Sequence, residues 1–145
     1  MTLPQPIKVL LVEDDPGDEL MTREAFEDDK IRNQLHVARD GEEALDFLYR
    51  RGSHARAPRV DLVLLDLNLP KYDGWQVLQQ IKSDPGLTQV PVVILTTSSA
   101  EEDILRSYQL HTNAYVTKPV DVNEFIAAVR QIDDFFVSVV RLPPQ

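Results

Sequence analysis

The sequence predicts an α/β fold: a doubly wound, five-stranded parallel sheet with helices on both faces. Three observations carry this. Short apolar runs alternate five times with amphipathic segments. The runs are nearly continuous rather than alternating with polar residues, as in strands buried on both faces. Turn-forming residues punctuate the chain between them. Repeated βα units joined by right-handed crossovers give an open sheet of this kind.

The elements follow in order. Ile7–Val12 (IKVLLV) is a β-branched and leucine run, and the turn Asp15-Pro16-Gly17-Asp18 follows it. Asp18–Phe26 places Leu20, Met21 and Phe26 among acids, as in a helix. Gln34–Ala38 is a weaker strand. Gly41–Arg50 sets Ala44, Leu45 and Leu48 at helical spacing. Asp61–Leu67 (DLVLLDL) is a third strand, and Pro70 and Gly74 bracket the loop after it. Gly74–Lys82 carries Val77, Leu78 and Ile81 on one helical face. Val90–Thr96 is a fourth buried strand, and Ala100–Leu110 a helix with Ile104 and Leu105 inward. Ala114–Thr117 is a short fifth strand ending at Lys118-Pro119. A long last helix runs from Asp121, a capping residue, to about Val139.

The 145 residues suit one domain, residues 1–145, with a C-terminal extension over about 133–145. Acids outnumber bases 24 to 15, for a net charge of −9, which argues against a nucleic-acid surface. With no cysteine, thiol catalysis, disulfides and cysteine-based zinc sites are excluded. No run approaches the ~20 apolar residues of a membrane span. The amino terminus lacks the pattern of a signal peptide. The expected location is the cytoplasm. Tyr49–Arg59 stands apart, with Arg50, Arg51, Arg56 and Arg59 in an otherwise acidic protein. It reads either as a solvated connection or as a contact for an acidic partner.

In open α/β sheets, sites form beyond the carboxyl ends of the strands. There the sequence puts Glu13-Asp14-Asp15, Asp66 with Asn68, Thr96-Thr97-Ser98 and Thr117-Lys118. Asp66 interrupts an apolar run, where a carboxylate is costly unless its charge is compensated. Glu13 and Asp14 add like charge. A hard divalent cation such as Mg²⁺ resolves the conflict, and Lys118 can balance the rest from the other side. Helix capping by Asp14 or Asp15, and by Thr96 or Ser98, is the simpler explanation for each residue alone.

These residues resemble the receiver domains of two-component response regulators. The resemblance runs from about Ile7 to Ile132. It rests on Leu11-Val12-Glu13-Asp14-Asp15, Leu64-Leu65-Asp66-Leu67-Asn68-Leu69-Pro70 with Asp73-Gly74, Val93-Ile94-Leu95-Thr96 and Tyr115-Val116-Thr117-Lys118-Pro119. It implies a flavodoxin-like, receiver-type sheet with Asp66 as phosphoacceptor. It also implies Mg²⁺ on Asp14, Asp66, the backbone carbonyl of Asn68 and, through water, Glu13. Thr96 and Lys118 would bind the phosphoryl group, and Tyr115 would move with Thr96 as a switch. Tyr115 is equally readable as a core aromatic. Asn68 and Ser98 would flank the attacking water and tune the lifetime of the phosphate.

Beyond the receiver the chain leaves no room for an output domain, so the signal is expected to leave by protein contact or onward phosphotransfer. Phe125, Val129, Ile132, Phe136 and Val139 make one helical stripe. Phe135, Val137, Val140 and Leu142 fall outside it and are the expected interface of a homodimer. The tail, the Leu69–Gly74 loop and the basic segment resemble stand-alone regulators serving bacterial phytochrome histidine kinases. The implied partner is a sensor histidine kinase, with no nucleic acid and no membrane, and the protein is not expected to be an enzyme toward other substrates. The competing readings are a relay intermediate, a haloacid-dehalogenase-type phosphatase, a flavodoxin-like nucleotide binder and a receiver without phosphorylation. The phosphatase wants a second Asp where Asn68 stands. The nucleotide binder wants a phosphate loop where the acids lie after strand 1.

Overall fold

The computed structural model describes residues 7–27, 33–67, 69, 74–96, 114–117 and 123. Its elements are β1 (Ile7–Val12), α1 (Pro16–Phe26), β2 (Asn33–Ala38), α2 (Gly41–Tyr49), a 3-10 turn (Gly52–His54), β3 (Leu62–Asp66), α3 (Gly74–Ser83), β4 (Val92–Thr96) and β5 (Ala114–Thr117). All strand pairs are parallel, in the order β2-β1-β3-β4-β5. This is the five-stranded sheet expected from the sequence. The helices expected over Ala100–Leu110 and from Asp121 onward lie outside the described residues.

The continuous apolar runs are explained by burial on both faces. Leu10, Val12, Val63, Leu65, Val92 and Ile94 join the core under α2 and α3, with Ala44, Leu45, Phe47, Val77, Leu78 and Ile81. Their neighbours Val9, Leu11, Leu64, Val93 and Leu95 point to the other face and are also buried. The edge strand β2 is mostly only partly buried. Trp75 packs against the α2–α3 side of the core.

Element ends shift by a residue or two from the sequence expectation, each for a local reason. Helix α1 begins at Pro16 because Asp15 caps it, its Oδ2 accepting the Asp18 N–H at 2.8 Å, and proline at the first helical position has no N–H to leave unpaired. Asp61 does not extend β3; its Oδ2 accepts the Lys8 N–H at 2.8 Å and so ties the start of β1 to the connection before β3. Helix α2 stops at Tyr49 because Arg50 adopts a left-handed conformation, φ 53°. Val90 belongs to a turn, its N–H donating to Leu87 O at 2.9 Å.

Two polar clusters join α2 to its neighbours. Tyr49 donates its hydroxyl hydrogen to Asp84, and Gln80 Nε2 donates to the Tyr49 oxygen at 2.9 Å, linking α2 to the end of α3. On the other side, the rings of His36, Phe47 and His54 follow one another at centroid distances of 5.4 and 5.2 Å, and His54 Nε2 lies 3.1 Å from Glu43 Oε2. His36 Nε2 is buried with no hydrogen-bond partner among the described residues.

Burial, and then the charge of Lys8, hold the His36 pKa below its ordinary 6.5. The folded protein therefore keeps this ring neutral, while the unfolded chain protonates more readily. Its contribution to stability is complete above the unfolded value and is lost as pH falls through it toward the folded value. Chemical denaturation should show stability dropping as pH falls below about 6.5, the ordinary histidine value, with a smaller drop in His36→Leu. An equal drop in the variant would assign the effect elsewhere.

Candidate functional site

Strand register builds the site. Strands β1 and β3 pair with Val12 opposite Leu65, so residues just after Val12 arrive beside Asp66. Asp66 is the last residue of β3 and is 4% exposed, and Glu13 is 1% exposed. Asp14 stands at the exposed rim. One carboxylate oxygen from each of Glu13, Asp14 and Asp66 lies within 4.8 Å of the other two. Among the described residues this is the one such group of acids.

The run Glu13-Asp14-Asp15 thus divides its work. Glu13 is held by its backbone, whose N–H donates to Ala38 O at 2.9 Å, and its Oε2 accepts the Asp15 N–H at 3.3 Å. Asp15 turns to α1 as its cap. Glu13 and Asp14 remain beside Asp66. Capping accounts for one of the three acids and leaves the other two unexplained.

Three carboxylates at this spacing, two of them buried, repel one another. The donor set is all oxygen, with no sulfur or imidazole, which suits a hard divalent cation such as Mg²⁺ or Mn²⁺. The residues present therefore fit a metal of that class.

The neighbouring strands bring further candidates to the same edge. Asp66 pairs with Leu95, so Thr96 is the next residue along β4, and Thr96 pairs with Thr117 of β5. Tyr115 stands two register steps before that edge in β5, opposite Ile94. Asn68, Ser98 and Lys118 lie outside the described residues, as do Phe135, Val137, Val140 and Leu142.

Sequence reasoning did not single out what Gly74 does here. The Gly74 N–H donates to Leu67 O at 3.2 Å, bringing the first turn of α3 against the end of β3. A Cβ at position 74 would lie 2.5 Å from Leu67 Cα and closer still to the carbonyl oxygen of Asp66. The dipeptide Asp73-Gly74 marks a turn in the sequence. That the glycine touches the backbone of the strand-end aspartate is visible only in three dimensions.

Comparison with known proteins agrees with this geometry. Residues 9–130 match the model of the response regulator receiver domain. The chain belongs to the response regulator receiver domain family. Response regulator Rcp1 of Synechocystis sp. is 43% identical over 138 residues, covering 95% of this chain and 94% of that protein. The solved bacteriophytochrome response regulator AtBRR is similar at 46% identity and a TM-score of 0.82, with 89% of this chain and 94% of that one covered. The phosphorylated cyanobacterial phytochrome response regulator RcpA gives 44% and 0.77, with 97% and 100% covered. Rcp1 has also been solved in a Mn²⁺-bound form, which matches at 42% identity and a TM-score of 0.76, with 96% and 100% covered. As a response regulator the chain is a signalling protein, and a receiver domain implies a histidine kinase as its partner. No helix among the described residues is long and apolar enough to cross a membrane.

Gly74→Ala tests the packing of this receiver site. The overlap is with backbone, which cannot rotate away, so the variant should lose about 1–3 kcal/mol of stability. Were Asp66 to accept a phosphoryl group, that step should also slow, because the Asp66 backbone must shift. Urea denaturation and a phosphorylation time course measure the two effects, and an unchanged midpoint would mean that α3 can move aside at no cost.

Proposed function

We propose that Asp66 is the phosphoacceptor, receiving its phosphoryl group from the phosphohistidine of a sensor histidine kinase. The observation that carries this is the buried Asp66 carboxylate at the end of β3, grouped with Glu13 and Asp14. An Asp66 oxygen attacks phosphorus and forms an acyl phosphate. The phosphorus–nitrogen bond breaks, and the imidazole keeps the electron pair. No general base is needed, since the nucleophile is already a carboxylate. Positioning and charge neutralisation lower the barrier.

Asp14, Asp66 and the Asn68 carbonyl would hold Mg²⁺ directly, with Glu13 acting through water. Bound there, the ion would offset charge on the phosphoryl oxygens and keep them oriented. Lys118 would pair with a phosphoryl oxygen from β5, and the Thr96 hydroxyl would donate to another. Drawing these groups inward, with Tyr115, shifts the loops after β4 and β5 between two states. Asn68 and Ser98 are small and polar, and neither is an acid that would activate water, so they would tune the lifetime of the acyl phosphate.

The kinase is of phytochrome type in this reading, supported by the likeness to AtBRR and RcpA along most of the chain. The protein acts in the cytoplasm as one receiver domain over residues 1–145. Its catalysis is confined to its own phosphorylation and dephosphorylation, and it binds neither nucleic acid nor membrane. Its extension, about 133–145, forms a homodimer through Phe135, Val137, Val140 and Leu142. Burying a large apolar side chain contributes ~1.5–3 kcal/mol, so a two-fold interface using all four can offset much of the cost of association.

Two measurements test this. Intact mass after acetyl phosphate and Mg²⁺ should show one phosphoryl adduct, lost in Asp66→Asn and with chelator. An adduct that survives in Asp66→Asn sinks the assignment. In sedimentation the full chain should be a dimer at micromolar concentration, and a chain ending at Asp134 a monomer. A full chain that stays monomeric with and without phosphate removes the dimer.

A further inference from the structure

The basic segment between α2 and β3 is not used by the phosphoacceptor site. No acid occurs between Asp46 and Asp61, while Arg50, Arg51, Arg56 and Arg59 all lie there, in a chain of net charge −9. These arginines are not equivalent. Arg51 is committed, its Nε lying 2.6 Å from Asp46 Oδ1 and its guanidinium 5.0 Å from the centre of the Tyr49 ring. Arg50 and Arg59 make no ion pair among the described residues.

Both line a cavity of about 310 Å³ whose apolar wall includes Leu48, Leu87, Val90 and Pro91. The cavity sits where β3 and β4 begin, bounded by Val60 and Asp61 before β3 and by Pro91 before β4. The acid cluster sits where β1 and β3 end. The length of β3, roughly 16 Å of parallel strand, separates the two.

Arg50 is also the one non-glycine with positive φ among the described residues. Glycine is the inexpensive residue at this left-handed position after a helix, and a side chain there is strained. Arg50 occupies such a position, and its left-handed backbone sets the base of its side chain at the cavity wall.

We propose that this cavity docks an acidic segment of a partner protein, one that carries a large aliphatic side chain between or beside its carboxylates. Charge complementarity selects the acid: in a strongly acidic protein, two uncommitted guanidinium groups are the local attraction for an anion. The apolar wall selects the neighbouring aliphatic group. Exposed ion pairs alone contribute little in water, so a free small anion would not be retained. A peptide adds apolar contact to the ion pairs. Asp61 bounds the cavity on the strand side, its Oδ2 tied to the Lys8 N–H, and like-charge repulsion leaves the arginine side as the place for a carboxylate. The docking is independent of the phosphoacceptor reading, because the two sites share no residue.

The probe is the capped peptide Ac-Glu-Leu-Leu-Glu-NH2, titrated into the full chain and followed by amide NMR shifts. Saturable shifts are expected at Arg50, Leu87 and Val90, weakening with added salt. The double variant Arg50→Ser with Arg59→Ser should bind at least about tenfold more weakly. Arg50→Gly should bind more weakly while melting no lower than the parent, since it relieves the strain; this keeps a folding defect apart from a lost contact. Asp66→Asn should bind as the parent does, so failure of the phosphoacceptor reading leaves this result standing. No saturable shift up to about 10 mM peptide, equal shifts with Ac-Lys-Leu-Leu-Lys-NH2, unchanged affinity in the double variant, or glutarate binding as tightly as the peptide would each overturn the proposal.

Discussion

Like charge crowded at one sheet edge is the constraint on which this protein turns. The parallel register of β1 against β3 sets Glu13 and Asp14 beside Asp66, and two of these three acids are almost fully buried. Such a group is unfavourable unless positive charge completes it. The fold does not avoid the cost by turning the acids outward. It holds Glu13 by its backbone to β2 and sets the first residue of α3 against the backbone of Asp66. A site that crowds carboxylates between rigid neighbours suits a hard cation, and its energy is sensitive to the charge brought to it.

The rigidity comes from ordinary packing. Strands β1, β3 and β4 are buried on both faces, so the acids that follow β1 and the one that ends β3 inherit positions from a core that cannot easily slide. A one-residue slip of β1 against β3 would exchange the buried faces of the whole strand. Glu13, Asp14 and Asp66 are therefore located by Leu10, Val12, Val63 and Leu65 as much as by their own contacts. Gly74 adds the last restriction, since only a residue without Cβ lets α3 begin so close to the strand end.

The two ends of the sheet carry opposite character. Acids gather where β1 and β3 finish, and arginines where β3 and β4 start. Connections at the carboxyl ends lead into helices whose caps and first turns use acids, as Asp15, Asp18 and Glu19 do for α1. The return from α2 to β3 crosses the opposite end, and there the chain places its basic stretch. Among the described residues the acid cluster and the arginine-lined cavity thus lie at opposite ends of the sheet, with the core between them.

Much of this was legible in the sequence. The nearly continuous runs Ile7–Val12 and Asp61–Leu67 pointed to strands covered on both faces, and an aspartate inside the second of them to a charge that something must compensate. The family followed from several motifs in fixed order, each weak alone. Tertiary structure decided what depends on distance. It chose Asp15 for the cap and left Asp14 and Glu13 to the cluster, a choice that three adjacent acids do not reveal because each can do either. It showed that Gly74 abuts Asp66, which no spacing rule states. It brought Arg50 and Arg59, nine positions apart, to the rim of one cavity with Leu87 and Val90 from the α3–β4 connection. Periodicity reports which way a side chain faces; only packing reports what it meets there.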